Sequence, residues 1–245
     1  MDRSELMSLI WRGYHKLKGV EEGVLDMPTL MAIYDLMNSG YIDHLNCVVS
    51  TGKESCVYWG VGRDGSDLAV KVHYMLAAQF KRRLKYIAGD PRFRRVRKGM
   101  KNLILLWVSK EFKNLQTAYR AGVPVPKPIA FKRNVMVMEF VGKGGVPAPL
   151  LKDCEVGKRE YERLISIVKR LYRKARLVHA DLSEFNVFKF GRRLILFDFG
   201  SAVDVDHPLA EEFLTSDLIN INSFFSRRGV EVRGLDALLK EVKGG

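Results

Sequence analysis

The sequence predicts an α+β fold with segregated lobes. Strand patterns cluster between Cys47 and Met138, long helical patterns cluster after Pro149, and a glycine- and proline-rich crossing at Gly142–Pro149 separates them. Strands followed by helices, rather than alternating with them, argue for two lobes of one domain. The expected division is 1–45 for N-terminal helices, 46–141 for a strand-rich lobe and 142–245 for a helical lobe.

Residues before about Asn46 read as short helices, and Thr29–Met37 has helical spacing that stops near Gly40. Cys47–Val49, Val57–Trp59 and Leu68–Val72 read as strands, punctuated by Gly52 and by the turn Gly62-Arg63-Asp64-Gly65. A basic stretch over about 75–101 shows no clean period and is expected to be a flexible loop. A helix is expected from about Lys110 to Ala121, stopped by Gly122. The run Val123-Pro124-Val125-Pro126-Lys127-Pro128 excludes a helix and predicts an extended connector. Ile129–Phe131 and Val135–Met138 complete the strands, and Gly142–Pro149 is expected to be flexible. From Tyr161 the apolar residues Leu164, Ile165, Val168, Leu171, Tyr172 and Ala175 mark one face of a long helix. Val187–Phe188 and Leu194–Phe197 flank the turn Gly191-Arg192-Arg193. From His207 onward the chain reads as helical, with Phe213, Leu214, Leu218, Ile221 and Phe225 on one face.

At 245 residues and 47% apolar content, the chain suits one domain or two small lobes. No apolar run approaches the roughly 20 residues of a membrane span, so no membrane partner is expected. The opening Met-Asp-Arg-Ser-Glu does not resemble a secretory signal. Cys47, Cys56 and Cys154 form neither a disulfide framework nor a zinc pattern, which points to a reducing, cytoplasmic setting. The net charge is +13 and is concentrated in Lys81-Arg82-Arg83-Leu84-Lys85 and in Arg92, Arg94, Arg95, Arg97, Lys98 and Lys101. Interleaved Phe80, Tyr86 and Phe93 make this stretch a candidate contact for an RNA phosphate backbone.

The chemistry is carried by His179-Ala180-Asp181-Leu182-Ser183-Glu184-Phe185-Asn186, which has the H-x-D-L-x-x-x-N form of a kinase catalytic loop. The Asp must meet a substrate hydroxyl while the Asn holds a metal on the nucleotide phosphates, and that pair of tasks dictates their spacing. A hairpin later, Asp198-Phe199-Gly200 places a carboxylate at a strand end, where it can hold Mg²⁺; Gly200 is expected to let the chain turn away. Upstream, Ala69-Val70-Lys71-Val72 resembles the strand whose lysine holds the α- and β-phosphates. Glu111, on a following helix, is placed to pair with it. Between the first two strands, Ser50-Thr51-Gly52-Lys53-Glu54-Ser55 stands where a glycine-rich phosphate loop is usual. Gly52 is expected to open its backbone amides to phosphate, and the hydroxyls of Ser50, Thr51 and Ser55 to add donors.

Together, Ser50–Ser55, His179–Asn186 and Asp206-His207-Pro208-Leu209-Ala210-Glu211-Glu212-Phe213-Leu214 resemble the RIO family of atypical serine kinases, first subfamily. Gly89–Phe93, Lys110–Leu115 and Val146–Leu151 add to the resemblance, which runs from about Met27 to Arg227. The N-terminal stretch is too short for the winged helix of the second subfamily. The resemblance implies a two-lobed protein-kinase-like fold with a trimmed C-terminal lobe, and ATP with Mg²⁺ or Mn²⁺ as cofactors. It implies that Lys71 holds phosphates and pairs with Glu111, that Asp181 is the catalytic aspartate and that Asn186 and Asp198 hold the metal. Ser50 to Ser55 (Ser50, Thr51, Gly52, Lys53, Glu54, Ser55) would cover the triphosphate, and Met138, Glu139 and Val141 would line the adenine pocket. It also implies serine autophosphorylation, ATPase activity and a role in maturation of the small ribosomal subunit. The expected partners are thus the subunit precursor and its RNA, with no DNA.

Two departures from conventional kinases stand out. Ser183 occupies the position of a lysine that normally lies near the γ-phosphate, as in RIO proteins. No A-P-E sequence follows Asp198, so the usual peptide platform is missing, which favours hydrolysis or self-transfer; the family resemblance implies Asp198 as a transient phosphoryl acceptor. Two other functions fit less well. A small-molecule kinase would need a more elaborate helical lobe, and a non-catalytic RNA-binding assembly factor would not need Lys71, Asp181, Asn186 and Asp198 intact. Among the remaining residues, His179 reads as structural. His15, His73 and His207 read as surface or cap residues, Trp59 and Trp107 as core or sheet-face aromatics, and Cys56 as a small buried filler.

Overall fold

The computed structural model describes residues 2–11, 25–74, 85–87, 90 and 100–244. Most of the basic 75–101 stretch, and His15, lie outside them. The chain forms two compact units. The first comprises 1–78, 98–112 and 127–147; the second comprises 79–97, 113–126 and 148–245. The unit boundary therefore falls after Pro147 rather than at 141, and 113–126 belongs with the helical unit.

The first unit is built on an antiparallel sheet of order β1-β2-β3-β5-β4. Its strands are β1 His44–Thr51, β2 Ser55–Val61, β3 Asp67–His73, β4 Pro128–Lys132 and β5 Val135–Glu139. β3 is central and buried at every position but its first. Its apolar residues Leu68, Val70 and Val72 pack with Tyr58 of β2 and Val135 and Val137 of β5. That same core takes in two N-terminal helices, α1 Arg3–Ile10 through Leu6, Met7 and Ile10, and α2 Met27–Asn38 through Leu30, Ile33 and Leu36. Both helices are capped. Asp2 and Glu5 form a reciprocal capping box on α1, and Asp26 accepts from the Thr29 backbone at the start of α2, each cap stabilising by ~1 kcal/mol.

A third helix, α3 Met100–Arg120, begins ten residues before the expected Lys110. Ile104, Trp107, Val108, Phe112 and Leu115 are buried at helical spacing. The adjoining charge run masks this period in the sequence. The helix stops where Gly122 adopts φ 72°. Val108 and Phe112 pack on Met136 and Met138 of β5. The supposedly flexible 142–149 crossing contains a short hairpin, β6 Gly142–Lys143 with β7 Val146–Pro147. Gly144 and Gly145 supply positive φ at its turn, the Gly144 N–H donates to Asp67, and Trp59 Nε1 donates to the same carboxylate at 2.8 Å.

The second unit holds α4 Lys158–Arg173, α5 Ala210–Arg227 and α6 Leu235–Lys243. It also holds two small sheets: β8 Leu177–Val178 with β11 Val203–Asp204, and β9 Val187–Phe190 with β10 Arg193–Leu196. α4 buries Tyr161, Leu164, Ile165, Ile167, Val168 and Leu171. The Tyr161 hydroxyl donates to Asn222 of α5 and accepts from the Arg233 backbone just before α6. β8 and β11, at two residues each, are too short to leave a periodic signal. No helix among the described residues is long and apolar enough to cross a membrane.

Candidate active site

Lys71 sits on the central strand of the first unit and Glu111 on α3, and Lys71 Nζ donates to Glu111 Oε1 at 2.7 Å. Both are buried, at 9% and 2% exposure. Burial alone would push the Glu111 carboxyl up, but Lys71 and then His73 outweigh it and hold the group well below the usual carboxylate range. His73, expected at the surface, is instead buried. Its Nε2 lies 3.2 Å from Glu111 Oε2, without the alignment of a directed hydrogen bond, so the contact is electrostatic. Sequence reasoning missed it because 38 residues separate a strand-end histidine from a helix glutamate.

A second set of bonds anchors that strand end. His73 N donates to the Asn134 carbonyl at 2.9 Å. Asn134 Nδ2 donates to the His73 carbonyl at 2.9 Å and to Thr29 Oγ1 at 3.0 Å. The turn between β1 and β2 is arranged differently from expectation. The Gly52 N–H is taken by the Ser55 carbonyl at 2.9 Å and is not open to phosphate. Ser50, Thr51, Lys53 and Glu54 are exposed and Ser55 half-buried. At the other end of the sheet, Met138 and Glu139 close β5. The Glu139 N–H donates to the Lys127 carbonyl, and its side chain accepts from the Lys127 N–H at 3.0 Å. Val141 is buried just beyond.

In the second unit the loop after β8 is held from below by Asp217 of α5. Asp217 Oδ2 accepts from Ala180 N at 2.9 Å and Oδ1 from Leu182 N at 2.8 Å, bracketing Asp181. Asp217 is 3% exposed. Burial pushes its carboxyl up to about 7 against the pull of those two N–H donors, and the Asp181 charge adds to the rise. The clue in the sequence was an acid in an otherwise apolar helix face, between Leu214 and Leu218.

Asn186 Nδ2 donates to the Asp181 carbonyl at 2.6 Å, and the Asn186 carbonyl accepts from Phe197 N at 3.1 Å. This brings the loop beside the end of β10, where Asp198 follows. The reversal there is made by Asp198 itself, at φ 64°, rather than by Gly200. Ala180 is also left-handed, at φ 65°. Two such non-glycine residues, each costing on the order of 1–3 kcal/mol, mark a site whose geometry its surroundings enforce. His179 is buried beneath the loop, and burial holds its imidazole below the ordinary value. Its Nε2 meets the Phe197 carbonyl at 2.9 Å; since that oxygen only accepts, Nε2 carries the proton and the ring is a structural strut.

The fit to a metal is favourable. With its nitrogen committed to Asp181, Asn186 presents Oδ1 as an oxygen ligand, and Asp198 supplies a carboxylate. One or two protein oxygens completed by phosphate oxygens and water is the donor set Mg²⁺ prefers. Among the described residues no group of three or more His, Cys, Asp or Glu forms a self-sufficient metal site.

The chain matches the RIO domain family over residues 56–238. It is 44% identical over 227 residues to the RIO-type serine/threonine-protein kinase Rio1 of Haloferax volcanii, covering 92% of this chain and 78% of that one. It is 38% identical to the human serine/threonine-protein kinase RIO1, with 90% and 40% covered, so it spans well under half of the human protein. The Rio2 kinase structure from Chaetomium thermophilum superposes with a TM-score of 0.66 at 27% identity, covering 89% of this chain and 67% of that one. A Rio2 complex with ADP/Mg²⁺ and phosphoaspartate has the same fold, with a TM-score of 0.66, 24% identity and coverage of 88% and 66%.

Proposed function

Since the chain belongs to the RIO family of serine/threonine-protein kinases, in its Rio1 branch, we propose that it turns over ATP in a Mg²⁺-dependent way during maturation of the small ribosomal subunit. The buried Lys71–Glu111 pair is the observation that carries this reading. A buried ion pair is weak as a source of stability, because desolvation offsets most of the attraction. Its use is to hold a lysine ammonium in one place for phosphate oxygens. ATP supplies the transferable phosphoryl group. Asp181 accepts the proton of the attacking hydroxyl or water, Asn186 and Asp198 hold the metal, and the Ser50–Ser55 turn and the Met138–Val141 strand end bind the nucleotide. The lack of an A-P-E sequence after Asp198 favours hydrolysis, transient phosphoryl transfer to Asp198 or serine autophosphorylation over phosphorylation of free peptides. A net charge of +13 suits a ribonucleoprotein partner in the cytoplasm.

The test is ATP turnover measured with and without purified small ribosomal subunits, alongside a free peptide acceptor. Stimulation by subunits above any peptide phosphorylation is expected. Efficient multiple turnover on a free peptide, with no response to subunits, would overturn the assembly role.

A further inference from the structure

The outer face of α4 carries a line of cations that the catalytic site does not use. Arg159, Arg163, Arg170 and Lys174, which directly follows the helix, fall within about 60° of one another at 3.6 residues per turn, and all four are exposed. The line is roughly 22 Å long at 1.5 Å per residue. Two of its three arginines are fixed by neutral acceptors. Arg163 Nη1 donates to the Arg192 carbonyl at 2.8 Å and Arg170 Nη1 to the Gly122 carbonyl at 2.7 Å. These bonds orient the guanidinium groups without cancelling their charge. The first of them also seats the β9–β10 turn, with exposed Arg192 and Arg193, beside the line.

The acids nearby are already engaged. On the flank of α4 away from that turn, Glu162 pairs with Arg233, which also pairs with Glu241, and Glu241 pairs with Lys169. Glu160 pairs with Lys189. One flank of the helix is thus neutral, while the next is uniformly positive.

We propose that this line, Arg159, Arg163, Arg170 and Lys174 with Arg192 and Arg193, is a docking surface for the phosphate backbone of structured RNA. A polyanion with regularly spaced charges fits it: the line is long enough to face several successive phosphates of one strand. No large apolar side chain of α4 is exposed within it, so it offers no anchor for an acidic peptide and no wedge for a lipid surface. The choice of RNA over DNA rests on the assembly role proposed above. The surface shares no residue with the basic 75–101 stretch and reads backbone rather than sequence.

The test uses the full chain carrying Arg159→Gln, Lys174→Gln, Arg192→Gln and Arg193→Gln, whose side chains make no hydrogen bond or ion pair in the fold. A control of equal charge loss carries Lys127→Gln, Lys132→Gln, Arg133→Gln and Lys143→Gln. Affinity for a double-stranded RNA hairpin is titrated over a range of salt. The first variant should bind at least tenfold more weakly than the control, and its log–log salt slope should be shallower by about two or more. Equal losses in the two variants would reduce the line to net charge and overturn the proposal. So would tighter binding of a matched DNA duplex, or a line-dependent preference for polyglutamate or anionic vesicles. ATP turnover without RNA is measured on the same preparations. Its absence in the wild-type chain would sink the catalytic reading while leaving the RNA titration interpretable; its retention in the first variant is expected, because none of the four residues belongs to the site.

Discussion

Lys71 Nζ and Glu111 Oε1 meet at 2.7 Å in the interior of the first unit, and the pair separates activity from stability. Removing one partner strands a buried charge, which costs about 3–5 kcal/mol, whereas replacing both with apolar residues is often neutral. Glu111→Gln and Lys71→Met should therefore each lower the denaturation midpoint, and Lys71→Met/Glu111→Leu should recover most of the loss. ATP turnover should stay abolished in all three. A double variant no more stable than the singles would show that the pair does not behave as a unit.

Asp217 gives a pH signature. Its carboxyl titrates at about 7 in the fold and at about 3.9 in the unfolded chain. Between these values the native state keeps a proton that the unfolded state has released, so its contribution falls as pH rises from about 4 to 7. Asp217→Asn should remove that slope from a series of urea midpoints. The same variant replaces one acceptor oxygen with an NH₂ group, facing the Ala180 or Leu182 N–H with a donor. Turnover should fall roughly tenfold or more with ATP binding retained. A stability that rises with pH in the wild-type chain, relative to the variant, would contradict the burial-driven titration.

Metal dependence should rest on Asp198. Asp198→Ala should abolish Mg²⁺-dependent turnover, but alanine also strains the left-handed position at φ 64°. Asp198→Asn, which tolerates that conformation, separates the two effects: it should keep the fold and still lose turnover. Asp181→Asn should lower turnover by about 10²–10⁴-fold while sparing nucleotide binding. Wild-type rates in either asparagine variant would end the corresponding assignment.

The hairpin at Gly142–Pro147 makes a contrast within two residues. A Cβ on Gly145 would lie 2.5 Å from the Trp59 ring at φ 79°, whereas one on Gly144 at φ 57° would meet open space. Gly144→Ala should cost only the left-handed penalty of about 1–2 kcal/mol. Gly145→Ala should cost clearly more and alter Trp59 fluorescence. Equal thermal shifts would mean the hairpin readily moves off the ring.

The readable parts of the site were those encoded locally. Asp181, Asn186 and Asp198 lie within one loop and hairpin, so their spacing could be read without any tertiary information. Lys71 and Glu111 are 40 residues apart and became readable only through the company of the other motifs. His73 and Asp217 were missed for one shared reason: each acts through a partner far along the chain, Glu111 for one and the Ala180 and Leu182 amides for the other, and the acid on the apolar face of α5 was the only local hint. The start of α3 was hidden by an adjoining run of charge with no helical period, and Gly52 was read for openness when its N–H closes its own turn.

The hydrogen bonds from Asn134 to Thr29 and to His73 make α2 more than a lead-in to the sheet. Thr29 and Asn134 are both buried, so a chain shortened past α2 would leave the Asn134 amide facing vacated, wet space beside the last residue of β3. That strand carries Lys71 two residues earlier. Thr29 on α2 thus helps hold the end of the strand that carries Lys71, so removing α2 should disturb the position of Lys71 as well as the core that Leu30, Ile33 and Leu36 share with β3.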